Sequence, residues 1–152
     1  MKLSKIKIQL HKQCYKLAEE QITRIKTALQ EVQDAANNET KSSAGDKHET
    51  GRAMAQLETE KLSTQLSEAL KLEQVLQQIN PELEHKIVGL GSLVITNNGS
   101  FYISVSLGKV EINDEIYFAI SAVSPIGKLL LTKKEKESFS FNGKSYVILS
   151  VV

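Results

Sequence analysis

The sequence predicts an α+β protein: an N-terminal antiparallel helical hairpin of coiled-coil type, then a small antiparallel β-domain with one short helix. Three observations carry this. Two helical patterns of about thirty residues each flank one turn-forming stretch, so the helices must fold back on each other. After Asn80-Pro81 the composition changes to short β-branched and aromatic runs, two neighbouring pairs of which are separated by Asn97-Asn98-Gly99 and Asn142-Gly143, strong hairpin signals. A Ser124-Pro125 start interrupts those runs with a helix. The resulting boundaries are a hairpin over 1–80, a linker over 81–91 and a β-domain over 92–152.

The first helix is read from Leu3 to Ala36. Ile8, Tyr15, Ala18, Ile22, Ile25, Leu29, Val32 and Ala36 keep one three-four register, the seam of a coiled coil. His11 breaks that register and reads as a seam position fraying near the start of the chain. Asn37 to Gly45 has turn composition. Ser43 or Asp46 then caps a second helix that runs to about Ile79. Its seam is Leu62, Leu66, Ala69 and Leu76, supported by Leu57, Leu70, Leu72 and Ile79. Gly51 weakens its first turns by about 1 kcal/mol relative to alanine. The firm packing is therefore expected near the base and the mobile part near the tip.

The β-domain is read from runs at Leu93–Ile95, Phe101–Val105, Ile116–Ile120, Phe139–Phe141 and Tyr146–Leu149. Ser124 caps the intervening helix, Pro125 takes its first position, where a missing N–H costs nothing, and Ile126 to Leu131 follow. Lys133-Lys134-Glu135-Lys136-Glu137 alternates in sign and reads as a surface turn.

Composition narrows the function. The 152 residues are 41% hydrophobic and 24% charged with net charge +1, so no basic field marks a protein that binds DNA independently. Tryptophan is absent and aromatics are 5%, which leaves no stacking platform for bases. The single cysteine, Cys14, has no internal disulfide partner, and no apolar run has the length of a signal or membrane span. A cytoplasmic protein is expected. Three scattered histidines, His11, His48 and His85, make a zinc site improbable. His85 falls in the linker without an evident partner. Gly89-Leu90-Gly91 lacks the following helix of a phosphate loop, and no nucleophile–base pair is evident.

The candidate site is Gly45-Asp46-Lys47-His48-Glu49-Thr50. It lies at the far end of the hairpin, roughly 45–50 Å from the base at 1.5 Å per residue. Asp46 and Glu49 stand three positions apart there, as metal ligands or as ordinary capping acids favoured by the helix dipole. Lys41, Lys47 and Arg52 are nearby cations, available for phosphate or for solvent.

A long helical hairpin with this acidic tip, followed by a β-domain containing Ser124-Pro125-Ile126-Gly127-Lys128-Leu129-Leu130-Leu131, resembles the Gre transcript cleavage factors of bacterial RNA polymerase. That family's tip reads Gly-Asp-x-x-Glu followed by Asn-Ala-Glu-Tyr. Gly45, Asp46 and Glu49 match it, whereas Thr50-Gly51-Arg52-Ala53 replaces the second part, with Arg52 in place of an acid and Ala53 in place of an aromatic. Ile120 to Leu131 and Asn142 to Val151 resemble the family's β-domain, which is called FKBP-like.

The resemblance implies a polymerase accessory factor that enters the secondary channel. There Asp46 and Glu49 would help hold a Mg²⁺ ion borrowed from the polymerase active centre, next to the RNA 3′ end, and so stimulate cleavage of backtracked RNA. The chain would donate ligands rather than act as an enzyme alone, and would bind no metal by itself. Lys41 and Arg52 would contact polymerase or RNA, and Ser124, Pro125 and Ile126 would lie on a docking face. Two other readings stay open: a secondary-channel regulator without cleavage activity, and a coiled-coil interaction protein that has no need of the acids.

Overall fold

The computed structural model describes residues 2–41 and 45–152, with the side chains of 39–41 and 45–48 excepted. Two long helices come first, α1 (Leu3–Lys41) and α2 (Gly45–Gln78). Six strands and a short helix follow: β1 (Leu93–Thr96), β2 (Gly99–Ser104), β3 (Gly108–Ile112), β4 (Glu115–Ser121), α3 (Pro125–Leu130), β5 (Ser138–Phe141) and β6 (Lys144–Val151). Among the described residues no helix is long and apolar enough to cross a membrane. Contacts divide the chain into two compact units. One holds Met1–Leu17 with Leu72–Val152, and the other holds Ala18–Lys71.

In the second unit the seam closes as read. Ile22, Ile25, Leu62 and Ala69 are buried, with Ala28, Leu29, Val32 and Leu66 packed against them. The three-four spacing puts each set on one helix face. Leu57 departs from expectation and is 67% exposed. It stands five residues before Leu62, which at about 100° per residue turns it well off the stripe. Leu70 is exposed for the same reason, being one residue past Ala69. The expected turn over 37–45 is also corrected, because α1 continues through Lys41. No glycine or proline lies between Asn37 and Lys41, and the modest preferences of Asn and Thr against helix do not stop propagation. Ser43 lies outside the described residues. The backbone of Asp46 lies inside the first turn of α2 rather than ahead of it.

In the first unit the strand order is β3-β4-β2-β1-β6-β5. The sheet is mixed rather than purely antiparallel: β2 and β4 run parallel, from Phe101 opposite Phe118 to Ser104 opposite Ser121. Strand β3 makes this possible, and it was missing from the sequence reading. It pairs antiparallel with β4 through a two-residue turn at Asn113 and Asp114, both with positive φ (51° and 65°), as a type I′ hairpin requires. The Asn97-Asn98 and Asn142-Gly143 hairpins form as expected.

One face of the sheet buries Val94, Phe101, Ile103, Tyr146 and Ile148 with Leu130 of α3 and with Val88. Alternation sends Leu93, Tyr102 and Ser104 to the other face, and these are buried too. β2 is therefore buried from Phe101 to Ser104 on both faces. The stretch read as a linker is stitched into this unit: Val88 N–H donates to the Lys133 carbonyl at 2.8 Å, and Thr132 N–H donates to that of Val88 at 2.9 Å. Lys133 to Glu137 forms the expected turn, with Lys134 N–H donating to Glu137 Oε1 at 3.0 Å.

Candidate functional site

The end of α1 and the start of α2 belong to the second unit. Helical backbone from Gly45 onward puts positions 46, 49 and 52 on one helix face, since residues three apart are neighbours there. Glu49 and Arg52 are exposed. The side chains of Asp46, Lys41, Lys47 and His48 lie outside the described residues. Among the described residues no group of three or more His, Cys, Asp or Glu side chains stands close enough to hold a metal ion. Chemically, two carboxylates one helical turn apart are part of a Mg²⁺ site, which takes one or two protein carboxylates when waters and a phosphate supply the other oxygens.

Arg52 also borders an open groove of about 690 Å³ between the two helices of this unit. Leu29, Val32 and Ala36 line it from α1, and Ala55, Gln56 and Thr59 from α2. Ala36, Ala55 and Thr59 are the small side chains of that lining, and the sequence reading named no groove there.

The other candidate residues, at the start of α3, belong to the first unit. The Ser124 hydroxyl is engaged twice: it accepts from Gly127 N–H at 3.1 Å and donates to the Ser121 carbonyl at 2.6 Å. It is a helix cap, as expected. Ile126 packs against the core, and Pro125 is exposed. The exposed apolar neighbours are Val123, at 74%, and Leu129. A Cβ on Gly127 would lie 2.2 Å from the Ser121 carbonyl oxygen, so this turn requires glycine.

A third set of residues went unseen in the sequence. His11 is 8% exposed rather than frayed, and its Nδ1 lies 2.8 Å from the Tyr102 hydroxyl. Lys7, one turn earlier, is fully buried and donates through Nζ to the Leu83 carbonyl. His85 does have a partner, the Ser92 hydroxyl, which also accepts from Gly89 N–H at 2.9 Å. Ser92 is fully buried while His85 is half-buried, and the pair fastens the 85–92 segment. Burial pushes the Cys14 thiol up to about 12 despite the Ser104 hydroxyl beside it, which leaves it unreactive. Burial lowers the pKa of Lys7, His11 and His85 and raises that of Tyr102.

Compared with family models and with curated proteins, the chain matches none.

Proposed function

We propose that this chain is a Gre-like accessory factor of bacterial RNA polymerase, whose helical pair carries Asp46 and Glu49 into the secondary channel to stimulate cleavage of backtracked RNA. The observation that carries the reading is the position of the acids. Positions 46 and 49 stand three apart in the first turns of α2, and Glu49 is exposed. An acid in such a place contributes little to the fold beyond a dipole interaction of about 0.3–1 kcal/mol. It is well placed to act on a partner.

In this reading the polymerase is the enzyme and works in the cytoplasm, and this chain supplies ligands. The borrowed Mg²⁺ would supply charge for the attacking water and the phosphate. Asp46 and Glu49 would offer carboxylate oxygens to it, Lys41 and Arg52 would meet RNA or polymerase, and the β-domain, FKBP-like in this reading, would dock through the start of α3, with Pro125 at its surface. Purified chain should retain bacterial RNA polymerase in a pull-down. Failure to retain it would remove the proposal at its root.

One observation favours the non-cleaving variant of the reading. Arg52 is exposed on the same helix face as Glu49, one turn on, so a cation stands within reach of the acid meant for the metal. In that case the protein would occupy the channel and compete with cleaving factors without stimulating hydrolysis.

A further inference from the structure

Three basic side chains come together inside the first unit, on elements far apart in sequence. Lys7 and His11 sit one helical turn apart on α1, and His85 sits in the segment between α2 and β1. Each has a specific partner: the Leu83 carbonyl for Lys7, the Tyr102 hydroxyl of β2 for His11, and the Ser92 hydroxyl for His85. Buried cations are rare because water must be stripped from them. Lys7 and His11 are buried and His85 is half-buried, a setting that suits two neutral imidazoles beside one lysine better than three cations.

We propose that Lys7, His11 and His85 form an acid-released clasp, which holds the first turns of α1 against β2 and the 83–92 segment while both imidazoles are neutral and opens when they take up protons. The surroundings of each ring give the mechanism. Around His11 stand the Tyr102 hydroxyl from β2, the Leu76 carbonyl from α2, and Tyr15 and Lys7 from its own helix. None of these is negative. A carbonyl only accepts, so the nitrogen facing Leu76 carries the proton and Nδ1 accepts from the tyrosine hydroxyl. Protonating Nδ1 deprives that hydroxyl of its acceptor and adds a charge in a site shielded from water. Around His85 stand Ser92 and the Lys7 ammonium, which opposes a second cation, and the open groove that His85 borders also carries Glu84, Lys86, Lys134 and Glu135. Glu84 faces Lys7 and favours its charged form, which sharpens the conflict.

The direction follows from linkage. Both imidazoles are held below the ordinary value of 6.5 in the closed state, and they return to it when the clasp opens. The open state therefore binds more protons, and closure weakens as pH falls below about 6.5. Each imidazole contributes at most about a tenfold rise in the opening equilibrium per pH unit. The clasp operates whether or not the helical pair meets a polymerase.

Cys14 is a built-in reporter, being the one cysteine of the chain and fully buried on the clasped face of α1. The experiment measures its reaction with dithiodipyridine, which modifies thiols even in acid, from pH 8 to pH 5. At each pH the rate is divided by that of an unstructured cysteine peptide. The normalised rate should stay flat above pH 7 and rise between pH 6.5 and pH 5.5, by up to about 5-fold for each imidazole that stays neutral in the closed state. Far-UV circular dichroism should stay constant over the same range, and His11→Gln with His85→Gln should flatten the rise. A flat wild-type profile, a rise unchanged in the double variant, or a rise that coincides with loss of helix would overturn the clasp. Should the double variant fail to fold, the imidazole C2 proton shifts of the wild type decide the matter. Midpoints of both rings below 6.5 that track Cys14 exposure support the clasp, and midpoints at or above 6.5 overturn it.

Discussion

His11 and Tyr102, 91 residues apart in sequence, meet at 2.8 Å between the ring Nδ1 and the tyrosine hydroxyl. Both side chains are buried, and their rings meet edge to face at 6.2 Å. One contact therefore ties the start of α1 to the centre of the sheet. Its energy lies more in what is lost by breaking it than in the bond itself, because a buried acceptor left unpaired costs about 1–3 kcal/mol.

Tyr102→Phe should accordingly lower stability by about 1–3 kcal/mol. His11→Leu combined with Tyr102→Phe should cost less than the two single changes added together, because neither variant group then asks for a partner. Urea unfolding of the four proteins measures the coupling. Strict additivity would mean that the two side chains do not interact.

The seam gives a graded prediction. Leu62→Ala, at a buried position, should cost about 2–5 kcal/mol, and the half-buried Leu66 and Leu29 should cost less. Leu57→Ala should change stability by no more than about 0.5 kcal/mol, since it is already in water. Thermal or urea midpoints rank them, and an equal loss at Leu57 and Leu62 would contradict the helix register.

The start of α3 depends on one glycine. Gly127→Ala drives a Cβ to 2.2 Å from the Ser121 carbonyl and 2.8 Å from Ser124 Oγ. It should cost about 1–3 kcal/mol and loosen the cap. Amide exchange at position 127, whose N–H is held by Ser124, should speed up more than exchange in β6. Unchanged protection would mean that the cap is not what fixes this turn.

Alkali should weaken the fold through Cys14. The thiol's folded value is raised from 9.0 to about 12, so its contribution is complete below pH 9 and is lost between pH 9 and 12. Lys7, shifted downward from 10.5, works in the opposite sense over part of that window. Cys14→Ala isolates the thiol: urea midpoints at pH 8 and pH 10 should lie closer together in the variant than in the wild type. An unchanged gap would assign the alkaline limb to other groups, Tyr102 first among them.

These cases show which features a sequence discloses. The seam, the Asn-Gly hairpins and the Ser124-Pro125 cap were legible because each depends on residues close in the chain. Strand β3 was missed because only Val110 and Ile112 stand out as apolar in it, although Asn113-Asp114 offered a turn signal. The parallel pairing of β2 with β4 leaves no local trace, since it depends on a strand inserted between them. His11 looked like an interruption of an apolar stripe, and Lys7 drew no reading at all. Their burial depends on a carbonyl and a hydroxyl contributed from far along the chain. At the tip the residue types were legible, and their role depends on what they meet.

Transcript cleavage by RNA polymerase tests the central claim most directly. Stalled, backtracked complexes are incubated with the wild type, with Asp46→Asn and with Glu49→Gln, and the shortened RNA is measured alongside polymerase binding. Both substitutions keep shape while removing the charge that would hold a metal. The account predicts that the wild type stimulates cleavage, that each variant loses the stimulation yet still binds, and that higher Mg²⁺ restores part of it by mass action. Equal stimulation by all three proteins, or none by the wild type, would contradict it.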